Sequence, residues 1–305
     1  MQLVPLHLGG ITTDVCVHTT MREANDLGYE CLLLEDGTAA TDRGNHEAAI
    51  KMVHMQGGVF GATAAVDAVV KAFDALPRPA DTKCAKVGEA MRVATMAAGK
   101  RHGAGAVPAA TPSAFAWPAA AAALIMVDWQ KDFCHPDGFG ASLGNDVAPL
   151  IAAVPAAAKV LAAARAACMP VIHTLEAHLP DLSDCPPSKM RRCPSIGQTL
   201  VDSSGSSGGA GGGGSSGKRL NGRVLVRDEP GNSLIEELTD QPGEKIIHKP
   251  GKGAFFGTDL DAHLKSLGVT HLIFTVGTPS RLNPVEIRSL KAPGLVSSTL
   301  VEAIK

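Results

Sequence analysis

The sequence has few aromatic residues and few charged residues for its length. Of 305 residues, 4% are aromatic and 19% are charged, and 28 Lys and Arg residues nearly balance 30 Asp and Glu residues. The resulting net charge of -2 lacks the basic excess that is typical of nucleic-acid-binding surfaces. The sequence also lacks an uninterrupted run of 18 apolar residues, which a transmembrane helix needs. We therefore expect neither a nucleic-acid partner nor a membrane partner.

The cysteines do not form a pattern typical of disulfide frameworks or of common zinc sites. There are seven of them, at irregular spacing and without a CxxC pair. Secreted disulfide-rich domains usually contain an even number of cysteines, so a reducing compartment is the better expectation. The first ten residues also lack the basic start and apolar stretch of a secretory signal. We expect a cytoplasmic location, with an organelle as the alternative.

Short apolar segments alternate with amphipathic segments of helical length along most of the chain. Segments of strand length lie at 31–34, 123–127, 171–174, 245–248 and 270–275. Segments of helical length lie at 17–27, 45–56, 63–76, 147–168 and 259–267. This alternation predicts a three-layer α/β sandwich with a parallel sheet of about six strands. In such sheets the functional residues follow the carboxyl ends of the strands.

Low-complexity stretches divide the chain into parts. Residues 203–217 read SSGSSGGAGGGGSSG, which predicts a flexible insert without a buried side. Residues 78–114 are rich in Ala, Pro and Gly and are predicted to be a linker, and residues 278–305 are predicted to be a tail. The expected structured parts are therefore residues 1–77 and 115–277.

Three ionisable residues lie at positions where functional residues of this fold usually occur. Asp128 and Lys249 each follow an apolar strand, and Cys16 lies at the predicted start of the helix at 17–27. Helix-end amides and a nearby ammonium group favour a thiolate, which a neighbouring carboxylate can generate by taking the proton. Taken singly, each has a plain structural explanation, because a cysteine is often a small core residue and the other two are often a cap and a surface charge.

The segments around these residues resemble a known family. The signature blocks of the isochorismatase-like cysteine hydrolases are similar to VDWQKDF at 127–133, HKPGKGAFFGTDL at 248–260 and GITTDVCVHTT at 10–20. The biuret amidohydrolase branch of this family is similar in addition to the segments at 173–189, 224–231 and 21–61.

The resemblance implies a catalytic triad. Asp128 would act as general base, Lys249 would stabilise charge, and Cys16 would attack an amide carbonyl to form a thioester and release ammonia. The backbone amides of Thr12 and Cys16 would form the oxyanion hole, next to a cis peptide bond between Ile11 and Thr12. The implied partner is a small amide substrate, and relatives in this family commonly form homo-oligomers.

The resemblance also bears on substrate binding and on metals. In the biuret-type branch two further residues face the substrate, and they correspond here to Lys252 and Gln56. A cap at a helix end is the alternative role for Gln56. Glu176 and His178 have a spacing similar to the zinc-binding pair of nicotinamidases in this superfamily, but the later histidines are missing. Zinc usually needs three protein ligands, so we expect no metal and no cofactor.

The blocks occur in an order that differs from the family's. The cysteine block precedes the aspartate block, so residues 1–77 resemble the carboxyl half of the domain and residues 115–277 the amino half. One explanation is a circular permutation in which residues 78–114 join the old ends, since long connections cost little extra closure entropy. The other is a fusion of two truncated copies. Alternative functions are isochorismatase-type hydrolysis of another small substrate, or an inactive remnant that serves as an interaction module.

The composition of the insert yields a first prediction. Deleting residues 203–217 removes no large apolar side chain, so the free energy of unfolding should change by less than about 2 kcal/mol. Urea denaturation of the two proteins measures this, and a larger loss would show that the insert packs against the fold.

Overall fold

The computed structural model describes residues 12–77, 103–200 and 222–275, and its centre is a six-stranded parallel sheet. The strands of the described part are β1 (Glu30–Leu34), β2 (Ala62–Ala64), β3 (Ala104–Val107), β4 (Phe115–Pro118), β5 (Ala122–Val127), β6 (Val171–Glu176), β7 (Lys245–Lys249) and β8 (His271–Thr275). The order in the large sheet is β2-β1-β8-β5-β6-β7, while β3 and β4 form a separate antiparallel hairpin. The predicted fold class is confirmed.

Helices cover the sheet and connect its strands. In chain order they are α1 (His18–Asp26), α2 (Arg43–His54), α3 (Val66–Asp74), α4 (Lys131–Cys134), α5 (Phe139–Ser142), α6 (Ala148–Ala166), α7 (Pro187–Arg192) and α8 (Leu260–Ser266). A short π-helical turn, Thr13–Val17, leads directly into α1.

The two parts of the chain share this sheet. Ile273 of β8 pairs with Leu32 of β1 on one side and with Leu124 of β5 on the other. All three side chains are fully buried. One chain therefore closes the sheet from segments on both sides of residues 78–102, which lie outside the described residues. The permuted origin of this layout stays a prediction.

The core has the form expected for a covered parallel sheet. All six residues of β5 are buried, as occurs when helices pack on both faces of the sheet. Helix α6 packs against α3, with one face buried. Among the described residues, α6 is the one helix whose length and composition would allow it to cross a membrane. The core helix of a globular protein meets the same criteria of length and composition. The packing of α6 against α3 accounts for the buried face of α6.

One predicted element boundary is wrong. The predicted helix at 63–76 begins too early: Thr63 lies in β2, and α3 begins at Val66, whose N–H donates to Asp36 Oδ1 at 2.6 Å. The segment Ala62–Ala64 is too short and too small for its sequence to indicate a strand. It becomes one because its backbone pairs with β1 over three positions.

Part of the predicted linker also has regular structure. Residues 103–114 contain β3 and the loop that leads to β4, so the linker prediction is wrong for them. Trp117 of β4 is buried and contacts Phe73 of α3 edge-to-face at 5.8 Å between ring centroids. The loop also pairs with β2, since Thr63 and Thr111 exchange two backbone hydrogen bonds of 2.8 and 2.9 Å. The insert at 203–217 and the tail at 278–305 lie outside the described residues.

The central packing gives a second prediction. Leu124→Ala removes a fully buried side chain from the middle of the sheet, so it should lower the free energy of unfolding by about 2–5 kcal/mol. Ile151→Ala is the matched control, because Ile151 is 41% exposed and its loss should cost no more than about 1 kcal/mol. Equal losses in urea denaturation would contradict this arrangement of the core.

Candidate active site

Ionisable side chains converge at the carboxyl edge of three adjacent strands. Asp128 directly follows β5, Glu176 ends β6, and Lys249 ends β7. Cys16 reaches the same place from the π-helical turn before α1, and all four residues are fully buried. The structure thus brings together the three residues of the predicted triad and adds Glu176 to them.

A buried ion pair joins Asp128 and Lys249. Lys249 Nζ lies 2.8 Å from Asp128 Oδ2, and Thr174 Oγ1 donates to Asp128 Oδ1 at 2.7 Å. Lys249 Nζ also donates to the backbone oxygens of Lys252 at 2.8 Å and Gly251 at 3.2 Å. Burial alone would lower the pKa of Lys249, but the Asp128 carboxylate raises it, and the net pKa lies above its usual value. The ammonium group therefore stays charged.

The backbone of Asp128 is in a conformation that side chains rarely adopt. Its φ is 54°, in the left-handed region, at the point where β5 ends. The Asp128 N–H donates to the Thr174 oxygen at 2.9 Å, which holds this turn against the neighbouring strand. Non-glycine residues in this region are strained and are concentrated at functional sites. At this turn the Asp128 carboxylate lies within the cluster, 2.8 Å from Lys249 Nζ.

The Cys16 thiol lies among these groups. Its Sγ is 4.0 Å from Glu176 Oε2, and it lies within 4.8 Å of a carboxylate oxygen of Asp128. Burial raises the pKa of Cys16 to about 12, although Lys249 and Lys252 act in the opposite direction. Loss of solvation thus outweighs the nearby ammonium groups in their effect on the pKa of this thiol. The thiol is protonated at neutral pH and needs a base to become a nucleophile.

Glu176 connects two further lysines to the site. Its Oε1 lies 2.7 Å from Lys189 Nζ, and its Oε2 lies 2.9 Å from Lys252 Nζ. Burial alone would raise the pKa of Glu176, but Lys252, Lys189 and Lys249 lower it to about 2. The sequence prediction treated Glu176 only as a possible metal ligand. Its position at the end of an apolar strand, the criterion that selected Asp128, would have identified it.

The donor set does not resemble a vacant metal site. Cys16, Asp128 and Glu176 can each offer one ligand atom, all within 4.8 Å of one another. Both carboxylates, however, already pair with ammonium groups at 2.7–2.9 Å, which a divalent cation would have to displace. His178 is turned to other partners, Asp184 at 3.2 Å and Lys189 at 2.8 Å. The absence of a metal stays a prediction, and the lysines support it.

Of the two predicted oxyanion-hole residues, Thr12 lies before the thiol in the chain and Cys16 carries it. Thr12 is buried at the start of the π-helical turn, where its oxygen accepts hydrogen bonds from Val15 N at 3.0 Å and Val17 N at 3.4 Å. Ile11 lies outside the described residues, and with it the predicted cis bond. The role of the Thr12 and Cys16 amides stays a prediction.

The two predicted substrate-binding residues differ in their surroundings. Lys252 belongs to the cluster through Glu176. Gln56 is exposed, in the turn after α2, with a left-handed φ of 52°. The structure therefore groups Lys252, but not Gln56, with the buried site residues, and substrate binding by Gln56 stays a prediction.

Fold and site together define a three-layer α/β protein with cysteine, aspartate and lysine at the carboxyl edge of its sheet. The sequence model of the isochorismatase domain matches residues 5–65 and 122–275. The chain belongs to the isochorismatase domain family.

Curated relatives are named as amidohydrolases. The chain is similar to the ureidoacrylate amidohydrolase RutB of Yersinia enterocolitica, with 28% identity over 172 residues, covering 54% of this chain and 67% of that protein. It is 32% identical over 172 residues to RutB of Pantoea ananatis, covering 55% and 63%. The chain thus spans about two thirds of the length of these relatives.

A solved structure is also similar to this chain. It is a cysteine hydrolase from Pseudomonas syringae pv. phaseolicola, with 28% identity and a TM-score of 0.39. The similarity covers 50% of this chain and 57% of that one.

The Glu176 carboxylate yields a third prediction. Its pKa in the folded protein, about 2, lies below the ordinary value of 4.5. It therefore stabilises the fold fully above pH 4.5, and this contribution is lost as the pH falls towards 2. The difference in unfolding free energy between the wild type and Glu176→Gln should shrink between pH 6 and pH 3. Urea denaturation measures it, with the exposed Glu237→Gln as control, and a constant difference would contradict the ion-pairing.

Proposed function

We propose that this protein is a cysteine-dependent amidohydrolase that cleaves a C–N bond of a small ureido- or biuret-type amide and releases ammonia. The observation that carries the proposal is the Cys16 thiol, buried within 4.8 Å of the Asp128 carboxylate, which Lys249 holds at 2.8 Å. The names of the curated relatives support amide hydrolysis.

Asp128 supplies the base that the buried thiol requires. As Cys16 Sγ attacks the carbonyl carbon of the substrate, its proton passes to the Asp128 carboxylate. The pair with Lys249 keeps this carboxylate in place and offsets the charge that develops on the attacked group. The predicted oxyanion hole, the amides of Thr12 and Cys16, would hold the carbonyl oxygen as it becomes negative.

The rest of the reaction returns each group to its starting state. The C–N bond breaks as Asp128 gives its proton to the departing nitrogen, which leaves as ammonia, and the acyl group remains on Cys16 as a thioester. Water then attacks the thioester and gives a proton to Asp128. The C–S bond breaks, the thiolate recovers that proton, and the acid is released. One amide and one water give one acid and one ammonia.

The surroundings of the thiol suit a urea-like substrate. Biuret has a second carbonyl oxygen and ureidoacrylate has a carboxylate, and each of these groups needs a donor when it is buried. Lys252 Nζ lies beside Glu176 next to the thiol and has a partly exposed side chain, so it can reach a bound molecule. This supports Lys252 as a substrate-binding residue.

The test of this function is ammonia release. We expect the wild type to hydrolyse biuret or ureidoacrylate in preference to nicotinamide, which lies outside the proposed class, and Cys16→Ala to lose at least about 1,000-fold in kcat because the nucleophile is gone. Cys168→Ala, a cysteine that follows α6 outside the cluster, is the matched control and should retain its activity.

Two outcomes would contradict the proposal. A Cys16→Ala protein with full turnover would refute the thioester mechanism and favour isochorismatase-type hydrolysis, which does not require the thiol. A folded wild type without activity on any of the three substrates would favour the inactive remnant.

A further inference from the structure

The charges around Glu176 do not balance. Its single carboxylate pairs with two ammonium groups, those of Lys189 and Lys252. The third lysine of the cluster, Lys249, is already matched by Asp128. Among the described residues of this cluster, one positive charge is therefore surplus, and it lies beside the nucleophile.

Other nearby carboxylates do not remove this surplus. Asp184 is itself paired with Arg227 at 3.2 Å. The half-buried Glu23 accepts a hydrogen bond from the Phe255 N–H at 3.2 Å, and among the described residues Lys189 and Lys252 form their ion pairs with Glu176 instead. The excess thus stays with the pair of lysines on Glu176.

The two lysines on Glu176 differ in what they can still bind. Lys189, on α7, is 12% exposed, and its Nζ contacts Glu176 Oε1 at 2.7 Å, the Pro250 oxygen at 2.7 Å and His178 Nε2 at 2.8 Å. Its three N–H donors are therefore in use. Lys252 is 31% exposed, and among the described residues its Nζ donates only to Glu176, to Oε2 at 2.9 Å and to Oε1 at 3.1 Å. It keeps a donor for a ligand.

The hydrogen bond between Lys189 and His178 adds no further charge to the cluster around Glu176. Lys189 has only donors, so His178 Nε2 must accept, and the ring proton lies on Nδ1, which faces Asp184 at 3.2 Å. Burial and the Lys189 charge both lower the pKa of His178, which keeps the ring neutral at neutral pH. Glu176 is thus the one charged group that Lys189 contacts among the described residues.

We propose that Lys189 is a positioning residue that determines specificity: it neutralises Glu176, so that Lys252 presents a positive charge to the substrate. The substrate class is then a small ureido amide that carries a carboxylate, with the carboxylate bound at Lys252. This inference rests on the proposed hydrolysis at Cys16. Without Lys189, Glu176 and Lys252 would cancel each other, and the site would suit neutral amides such as biuret.

Two ureido compounds of equal length test the charge preference. β-Ureidopropionate carries a carboxylate, and hydroxypropylurea has a neutral hydroxyl group at the same end. The wild type should have a higher kcat/KM for the anion. Lys189→Met should lower that kcat/KM by about tenfold, mainly through KM, because an ammonium group a few ångströms away acts on the anion through a partly screened medium. The kcat/KM for the neutral compound should fall by a smaller factor, so that the ratio of the anion's kcat/KM to that of the neutral compound decreases.

Matched variants separate this role from a general loss of structure. Lys189→Arg keeps the charge and should keep the preference for the anion. Lys159→Met makes the same substitution on the exposed side of α6, where Lys159 pairs with Asp67, and should leave both substrates unaffected. Glu176→Gln removes the negative charge, so the ratio of kcat/KM for the anion to kcat/KM for the neutral compound should rise, even if both values fall.

The proposal is overturned if the wild type prefers the neutral compound or has no preference. It is also overturned if Lys189→Met lowers kcat/KM by the same factor for both compounds. A third contrary result is a Glu176→Gln variant in which the ratio of the anion's kcat/KM to that of the neutral compound falls. Calorimetric binding of both compounds to Cys16→Ala, with and without Lys189→Met, gives the same ratio without turnover. A wild type that binds the anion more tightly than the neutral compound, loses this preference in Lys189→Met and hydrolyses neither compound would refute the proposed function while keeping the charge preference at Lys252.

Discussion

The buried ion pair between Lys249 and Asp128 is the interaction on which the rest of the site depends. Neither group reaches solvent, and a buried charge without its partner costs several kcal/mol, so the two must be present together. The pair joins the ends of β5 and β7, which are separated by β6 in the sheet. It also fixes the loop after β7, since Lys249 Nζ holds the backbone oxygens of Gly251 and Lys252. A single contact thus sets the position of the carboxylate and of the chain that carries Lys252.

Strand β6, which lies between β5 and β7, adds a third ionisable side chain to those of Asp128 and Lys249. Because β5, β6 and β7 are parallel neighbours, Asp128, Glu176 and Lys249 emerge side by side at one edge. The thiol comes from a distant part of the sequence, and its segment joins the same sheet because β8 lies between β1 and β5 and pairs with both. The pairing of the sheet is therefore a condition for the chemistry. A chain in which β1 did not join the sheet would keep the charges at this edge and lose the nucleophile.

Much of this arrangement was predictable from local patterns, and the failures share a physical cause. Apolar runs predicted the strands of the sheet. Asp128 and Lys249 were identified because functional residues in such sheets follow the carboxyl ends of the strands. Thr63 was misassigned because its short strand depends on pairing with β1, which no local pattern contains. The raised pKa of Cys16 likewise has no local signature, because desolvation depends on how completely the rest of the chain covers the thiol. Glu176 was assessed for its spacing to His178 rather than for its place at the end of β6.

The hairpin of β3 and β4 lies against the outer edge of the large sheet. Strand β2 is the outermost strand on its side of the large sheet, and an uncovered outermost strand is a template for a strand of another molecule. The hydrogen bonds between Thr63 and Thr111 occupy that outer side, and the contact of Trp117 with Phe73 anchors the hairpin beside it. The hairpin lies outside the segments that match the family. It thus blocks edge-to-edge aggregation at the side of the sheet where β2 would otherwise recruit a second copy.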